Sequence, residues 1–346
     1  MKAGKLWGMR RLADGAGRFK MLAVDQRPPI KNLIAQRRDT DDASYEDVCA
    51  FKAMLVEELA PHASAALLDP HFALPAAIHL ASPGRGLLLT LEDSVFEETP
   101  TGRRSSPIDD WSVEKIKRAG GDAVKVLAWY RPDASPDILE HQHELALTIG
   151  EACRRFDIPY VFELLVYPFP GAAAHTTDYV EDTAKRADDV VASVAAFAGP
   201  EYGIDLFKLE SPLPAGAVPD RAEDDGSVQA VFDALGRAAG RPWVMLSAGA
   251  TQPAFSRILE YAYAAGANGY LAGRAIWWDA GQAFPDLDAM RRRLRVDSVP
   301  YMEQLNRMTD EQATPWTDQP GALGPVVLDH AGAGFRHEYQ GMEDPA

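Results

Sequence analysis

Cysteine is almost missing from this chain. Cys49 and Cys153 are the only two, far apart and outside any paired-cysteine motif, so neither a disulfide framework nor a zinc site is expected and both read as packing residues. No apolar stretch approaches the roughly 18 residues of a membrane span, and residues 1–10 lack the apolar segment of a signal peptide. A cytoplasmic protein that engages no membrane is expected. Basic residues are in deficit, with 35 Lys and Arg against 51 Asp and Glu and a formal charge of −16, which argues against nonspecific nucleic-acid binding. The basic run Arg291 to Arg295 reads as the solvated side of a helix. Histidine is sparse: His141 and His143 lie two apart on a helical candidate and point in different directions, so no metal is expected. No Ser-His-Asp arrangement stands out either.

What is present is an alternation of short apolar runs with longer amphipathic segments. Eight runs read as strands: Lys20 to Asp25, Ala65 to Asp69, Gly86 to Leu91, Ala123 to Trp129, Tyr160 to Leu165, Leu206 to Glu210, Trp243 to Ser247 and Gly269 to Gly273. Helical candidates between them include Tyr45 to Leu59, Ser112 to Ala119, Pro136 to Arg155, Thr177 to Ala198, Ser227 to Ala239 and Pro253 to Ala265. Eight strands with intervening helices predict an α/β fold of the (β/α)8 TIM-barrel type. A doubly wound sheet is the rival, but Asp25-Gln-Arg-Pro-Pro29 stands where its glycine-rich nucleotide turn belongs. The expected organisation is a lead-in over 1–19, one barrel domain over 20–318 and an irregular tail over 319–346 that covers a barrel end or mediates assembly. The Glu92 to Asp110 connection, with Pro100, Gly102 and Pro107, reads as an irregular active-site loop.

Three charged residues sit inside the apolar runs: Lys125, Glu163 and Lys208. Charged side chains are rarely buried without a partner or a task. A desolvated ammonium has a lowered pKa and becomes a nucleophile, and a second cation nearby helps. Barrel strand ends converge on one face, and alternation directs Lys208 and Glu210 to one side of their run and Phe207 and Leu209 to the other. Asp25 and Arg27 join the same interior. The competing reading is a buried ion-pair network, an expensive arrangement if it serves stability alone. Pattern does not say which lysine is the nucleophile. After the seventh and eighth runs, Leu246-Ser-Ala-Gly-Ala250 and Leu271-Ala-Gly-Arg-Ala275 supply small turns with Arg274 as a fixed cation, which predicts a phosphate cradle.

The ordered set Ala23-Val-Asp-Gln-Arg27, Ala66-Leu-Leu-Asp-Pro70, Leu74-Pro-Ala-Ala77, Gly121-Asp-Ala-Val-Lys125, Phe162-Glu-Leu164, Phe207-Lys-Leu-Glu210, Leu246-Ser-Ala-Gly249, Ala272-Gly-Arg-Ala275 and Ala313-Thr-Pro-Trp316 resembles the class I tagatose-1,6-bisphosphate aldolases. The resemblance covers about residues 20 to 318. It implies Lys208 as the Schiff-base lysine, Glu163 as the acid/base carboxylate and Lys125 as an accessory lysine. It also implies Asp25, Gln26 and Arg27 as substrate-binding residues, and Ser247, Gly249, Gly273 and Arg274 as phosphate-binding residues. The expected activity is cleavage of a ketose 1-phosphate or 1,6-bisphosphate to dihydroxyacetone phosphate and an aldehyde, with no cofactor beyond the lysine imine. A phosphorylated sugar is the expected partner, with a homo-oligomer as a further expectation. Pro28-Pro29 replaces the usual Gly-Ser, Leu164-Leu-Val-Tyr-Pro168 lacks an aspartate often seen there, and Leu127-Ala-Trp-Tyr-Arg131 replaces a more tyrosine-rich run. These departures concern the aldehyde half, for which a sulfofructose 1-phosphate is the alternative substrate, with Arg103 or Arg104 as candidate anion contacts. A sugar-phosphate-binding barrel without turnover is the noncatalytic alternative.

Overall fold

Each of the eight apolar runs forms a strand. The computed structural model describes residues 1–172, 182–319 and 326–341. In chain order the strands are β1 (Phe19–Ala23), β2 (Ala65–Leu68), β3 (Gly86–Thr90), β4 (Glu97–Thr99), β5 (Gly102–Arg104), β6 (Ala123–Trp129), β7 (Tyr160–Leu165), β8 (Leu206–Leu209), β9 (Trp243–Met245) and β10 (Gly269–Ala272). All but β4 and β5 pair in parallel and close on themselves in the order β1, β2, β3, β6, β7, β8, β9, β10. The chain is thus a TIM barrel, with helices packed around it.

Local chemistry starts and stops those helices where the sequence suggests. Ser44 and Ser112 cap the helices Tyr45–Leu59 and Val113–Arg118 by accepting the N–H of Asp47 and Lys115. Pro136 begins the helix Pro136–Arg155, and the Pro28-Pro29 pair begins Pro28–Arg38, where a missing N–H has no consequence. Gly240 ends Ser227–Ala239 with φ +57°. The expected helix from Thr177 to Ala198 is seen over Ala187–Ala196; residues 182–186 are not helical, and 177–181 lie outside the described residues.

The strand periodicity separates the core into two parts. Val124, Val126, Phe162, Leu164, Phe207 and Leu209 face outward and pack under the helices. Ala123, Val161, Leu206, Leu67, Leu88, Val244 and Leu271 face inward and fill the lower barrel. That base is closed by Met9 and Leu12 of the helix Ala3–Leu12 and by Trp316. Trp316 is held there by its N–H, which donates to the Gly17 carbonyl at 2.9 Å, and the Met1 ammonium donates to Asp329 of the tail at 2.5 Å.

The Glu92 to Asp110 connection is not irregular throughout. β4 and β5 form an antiparallel hairpin, held by Arg103, which is 1% exposed. The guanidinium lies over Phe96, Trp129 and Tyr167 at 4.4, 4.8 and 4.9 Å from the ring centroids and pairs with Glu98 at 3.2 Å. Such cation–π stacking on several faces suits a delocalised guanidinium.

Candidate active site

Two residues further along the inward face of the strands, the apolar layer gives way to charge. Ala123 is followed at that spacing by Lys125 on β6, Val161 by Glu163 on β7, and Leu206 by Lys208 on β8. Register places Glu163 directly beside Lys208, and the Lys208 ammonium donates to Glu163 Oε2 at 2.8 Å. Lys125 Nζ lies 2.8 Å from the same oxygen. It also donates to Asp25 Oδ2 at 2.9 Å and Glu92 Oε1 at 2.5 Å. Glu163 is therefore shared by two lysines, and Lys125 by three carboxyls, all of them buried.

The electrostatic outcome differs among these groups. For Lys125, burial works against the charge, but Asp25, Glu163 and Glu92 outweigh it and hold the ammonium pKa well above its usual value. Burial alone would raise the Asp25 pKa; the cations of Lys125, Lys208 and Arg27 reverse that and bring it below the ordinary carboxylate range. For Glu92 burial prevails over the pull of Lys125 and Arg27, so its pKa rises. Lys125 is thus a fixed cation, set between a firmly ionised Asp25 and a more easily protonated Glu92.

These groups line a cleft at the C-terminal mouth of the barrel. Of the candidate residues, Lys208, Glu163, Lys125, Asp25, Gln26, Arg27, Ser247, Gly273 and Arg274 line it, and Gly249, Arg103 and Arg104 do not. Gly249 stands just outside, in the adjoining groove, where Arg274 is shared between the two spaces. Gly249 has φ +87°, and a Cβ there would sit 3.4 Å from the Arg274 guanidinium carbon. Gly273 is required for close approach: a Cβ would lie 2.6 Å from the Ala23 carbonyl oxygen and 2.8 Å from Gln26 Nε2. Asp25 Oδ1, Gln26 Oε1, Arg27 Nε and Nη1, and Glu92 Oε2 are buried with no hydrogen-bond partner among the described residues. Buried polar atoms are normally satisfied, so this set has hydrogen-bonding capacity left for water or a polar ligand in the cleft.

Arg103 and Arg104 do not reach the cleft. The first is enclosed by its aromatic cage, and the second pairs with Glu97 and Asp137 on the outer side of the hairpin. The expected anion contact through either is corrected accordingly. Two members of the buried charge network, Glu92 and Lys185, escaped sequence reasoning. Glu92 continues the inward alternation Leu88, Thr90, Glu92, and that periodicity was the signal for it. Lys185 carried none: its ammonium meets Glu210 at 2.8 Å, and Glu210, which lines the cleft beyond Lys208, also accepts the Val166 N–H at 2.7 Å.

A closed parallel barrel with its polar cluster at the strands' C-terminal ends is the architecture of a barrel enzyme. The chain belongs to the DeoC/LacD family of aldolases, whose family model matches residues 19–279. It is therefore a carbon–carbon lyase. It is 33% identical over 332 residues to the tagatose 1,6-diphosphate aldolase of Listeria monocytogenes, covering 93% of this chain and 96% of that one. The tagatose 1,6-diphosphate aldolase of Lactococcus lactis is 32% identical, covering 90% and 97%. Among solved structures the fold matches a fructose-bisphosphate aldolase from Plasmodium falciparum at TM-score 0.62 and 12% identity, covering 89% and 94%. A Schiff-base-forming fructose-1,6-bisphosphate aldolase matches at TM-score 0.55 and 17% identity, covering 88% and 98%.

Proposed function

We propose that this protein is a class I aldolase that cleaves a ketose 1,6-bisphosphate of the tagatose type to dihydroxyacetone phosphate and an aldehyde phosphate. The observation that carries the reading is the pairing of Lys208 with Glu163 at 2.8 Å, at the floor of the cleft and next to a second, permanently charged lysine. The tagatose 1,6-diphosphate aldolases named above support the substrate class.

In the proposed course Glu163 takes a proton from Lys208, and the free amine attacks the ketone carbon C2. The carbinolamine loses water, its oxygen leaving with a proton returned by Glu163, and a protonated imine results. Glu163 then accepts the proton of the C4 hydroxyl. The C3–C4 bond breaks, its electron pair passes into the imine to form an enamine, and the aldehyde departs. Protonation at C3 and hydrolysis of the imine release dihydroxyacetone phosphate and restore Lys208. Electron withdrawal comes from the iminium, so the reading requires no metal. Lys125 balances the charge on Glu163 as protons come and go and keeps Asp25 in place for substrate hydroxyls. Ser247, Gly273 and Arg274 hold the C1 phosphate, with Gly249 giving the backbone room behind Arg274. That fixed anchor brings C2 to Lys208.

The test is an assay coupled to dihydroxyacetone phosphate over a panel of ketose 1-phosphates and 1,6-bisphosphates. Tagatose 1,6-bisphosphate should be turned over by the wild type and not by Lys208→Ala. Equal rates for the two proteins would remove Lys208 from the mechanism, and inactivity of the wild type on the whole panel would refute the substrate class.

A further inference from the structure

Lys5 and Lys52 are buried at opposite ends of the barrel, and neither lines the cleft. At the base, Lys5 donates to Asp205 at 2.6 Å and to the Gly203 carbonyl at 3.1 Å. At the mouth, Lys52 projects from the helix Tyr45–Leu59 with no exposed surface. Its ammonium donates to Asp69, also fully buried, and to the Val24 carbonyl at 2.9 Å.

The position of that carbonyl gives the pair its interest. Val24 follows the last residue of β1, and its peptide bond leads directly into Asp25, Gln26 and Arg27. The preceding carbonyl, of Ala23, accepts the Trp277 indole N–H at 3.0 Å. Two successive carbonyls at the exit of β1 are therefore held by side chains, one from each flanking helix. Asp69 stands at the corresponding exit of β2, where Oδ1 accepts the N–H groups of His71 and Phe72 at 3.0 and 2.9 Å. One ion pair thus links the ends of two neighbouring strands beneath the cleft. Burial draws the Lys52 pKa down against the pull of Asp69, and Arg27 and Asp25 also act on it, so the pair lies within electrostatic reach of the site.

We propose that Lys52 and Asp69 are positioning residues for the reaction: through the Val24 carbonyl they set where Asp25 stands, and so where Asp25 holds Lys125 beside Glu163. The proposal rests on the reading of Lys208 and Glu163 as the reacting pair. Asp25 Oδ2 is 2.9 Å from Lys125 Nζ, so a shift at Val24 passes through Asp25 and Lys125 to Glu163 within three side chains.

The experiment compares wild type, Lys52→Met, Asp69→Asn and Lys5→Met, each at a temperature where circular dichroism shows it fully folded. The readouts are kcat and KM for tagatose 1,6-bisphosphate and the rate of borohydride trapping with dihydroxyacetone phosphate. Lys52→Met should lower kcat and the trapping rate together by about 10- to 100-fold, the cost of an ångström-scale misplacement, with a smaller change in KM. Asp69→Asn keeps an oxygen for the His71 and Phe72 N–H groups and should shift both rates in the same direction. Lys5→Met should melt at lower temperature and keep wild-type rates. Rates within about twofold of wild type for both Lys52→Met and Asp69→Asn would make the pair purely structural and overturn the proposal. If Lys52→Met does not fold, Asp69→Asn decides alone. Wild-type protein that turns over none of the substrate and traps nothing would instead refute the aldolase reading and the proposal with it.

Discussion

The two ends of this barrel are built from the same strands and the same alternation, yet they differ in kind. At the base the inward positions are Ala123, Val161 and Leu206, sealed by Met9, Leu12 and Trp316. Two residues higher the same rows read Lys125, Glu163 and Lys208, which pair with one another and with Asp25 and Glu92. The inward face at the base is apolar and sealed, whereas the inward face at the mouth is charged and, on the proposed reading, completed by substrate. On the proposed reading chemistry is confined to the upper layer, so substitutions in the two layers should differ in whether they change turnover.

The sharpest break in that comparison comes at Glu163. Glu163→Gln should reduce kcat by about 10²–10⁴-fold, the range for losing a general acid/base, while borohydride still traps part of the protein as the Lys208 imine. A variant with wild-type kcat would separate Glu163 from proton transfer. Next in size is Lys125→Met, which leaves three buried carboxyls without their shared cation. Breaking a buried charge cluster in this way costs about 3–5 kcal/mol, measurable by chemical denaturation. The Lys125 pKa is raised above 10.5, so its contribution is complete below that value and is lost only as pH rises through the higher folded-state value. In the variant, acidification protonates the stranded carboxyls and relieves their repulsion, starting with Glu92, whose pKa burial already raises, so the deficit against wild type should shrink as pH falls. A constant deficit would show that the carboxyls do not depend on Lys125.

Smaller in activity is Arg274→Gln, expected to raise KM for phosphorylated ketoses roughly tenfold, or about 1.4 kcal/mol, with little change in kcat. Steady-state kinetics on a ketose bisphosphate checks it, and an unchanged KM would remove Arg274 from the phosphate turn. At the base the expected effect on chemistry is nil. Trp316→Ala should cost about 3–5 kcal/mol of stability through the cavity it leaves, read as a lower melting temperature, with kcat retained while the protein stays folded. A large kcat loss there would mean that the two layers are not independent.

Much of this arrangement was legible in the amino-acid order, for physical reasons that also mark where legibility stopped. Buried parallel strands are continuous apolar runs, so a lysine or glutamate within one stands out, as Lys125, Glu163 and Lys208 do. The helix Ala3–Leu12 was not read because its packing face is not an apolar stripe. It includes Lys5 and Gly8, and a Cβ on Gly8 would lie 2.4 Å from the Asp122 carbonyl oxygen, so close approach replaces hydrophobic pattern. The β4–β5 hairpin escaped because three-residue strands carry almost no periodicity, and what fixes them, Arg103 among three aromatic rings, is assembled from β6 and the segment after β7. Glu92 lay one alternation past a strand end, where pattern and loop meet. The ion pairs of Lys52 with Asp69 and of Lys185 with Glu210 join segments whose proximity only the closed barrel supplies.

The claim on which the whole account depends is that Lys208, and not its neighbour Lys125, forms the covalent bond to substrate. Intact-protein mass after borohydride treatment with dihydroxyacetone phosphate, followed by peptide mapping, tests it directly. The predicted result is one stable adduct on the peptide that carries Lys208; an adduct on the Lys125 peptide, or none on folded protein, would contradict it.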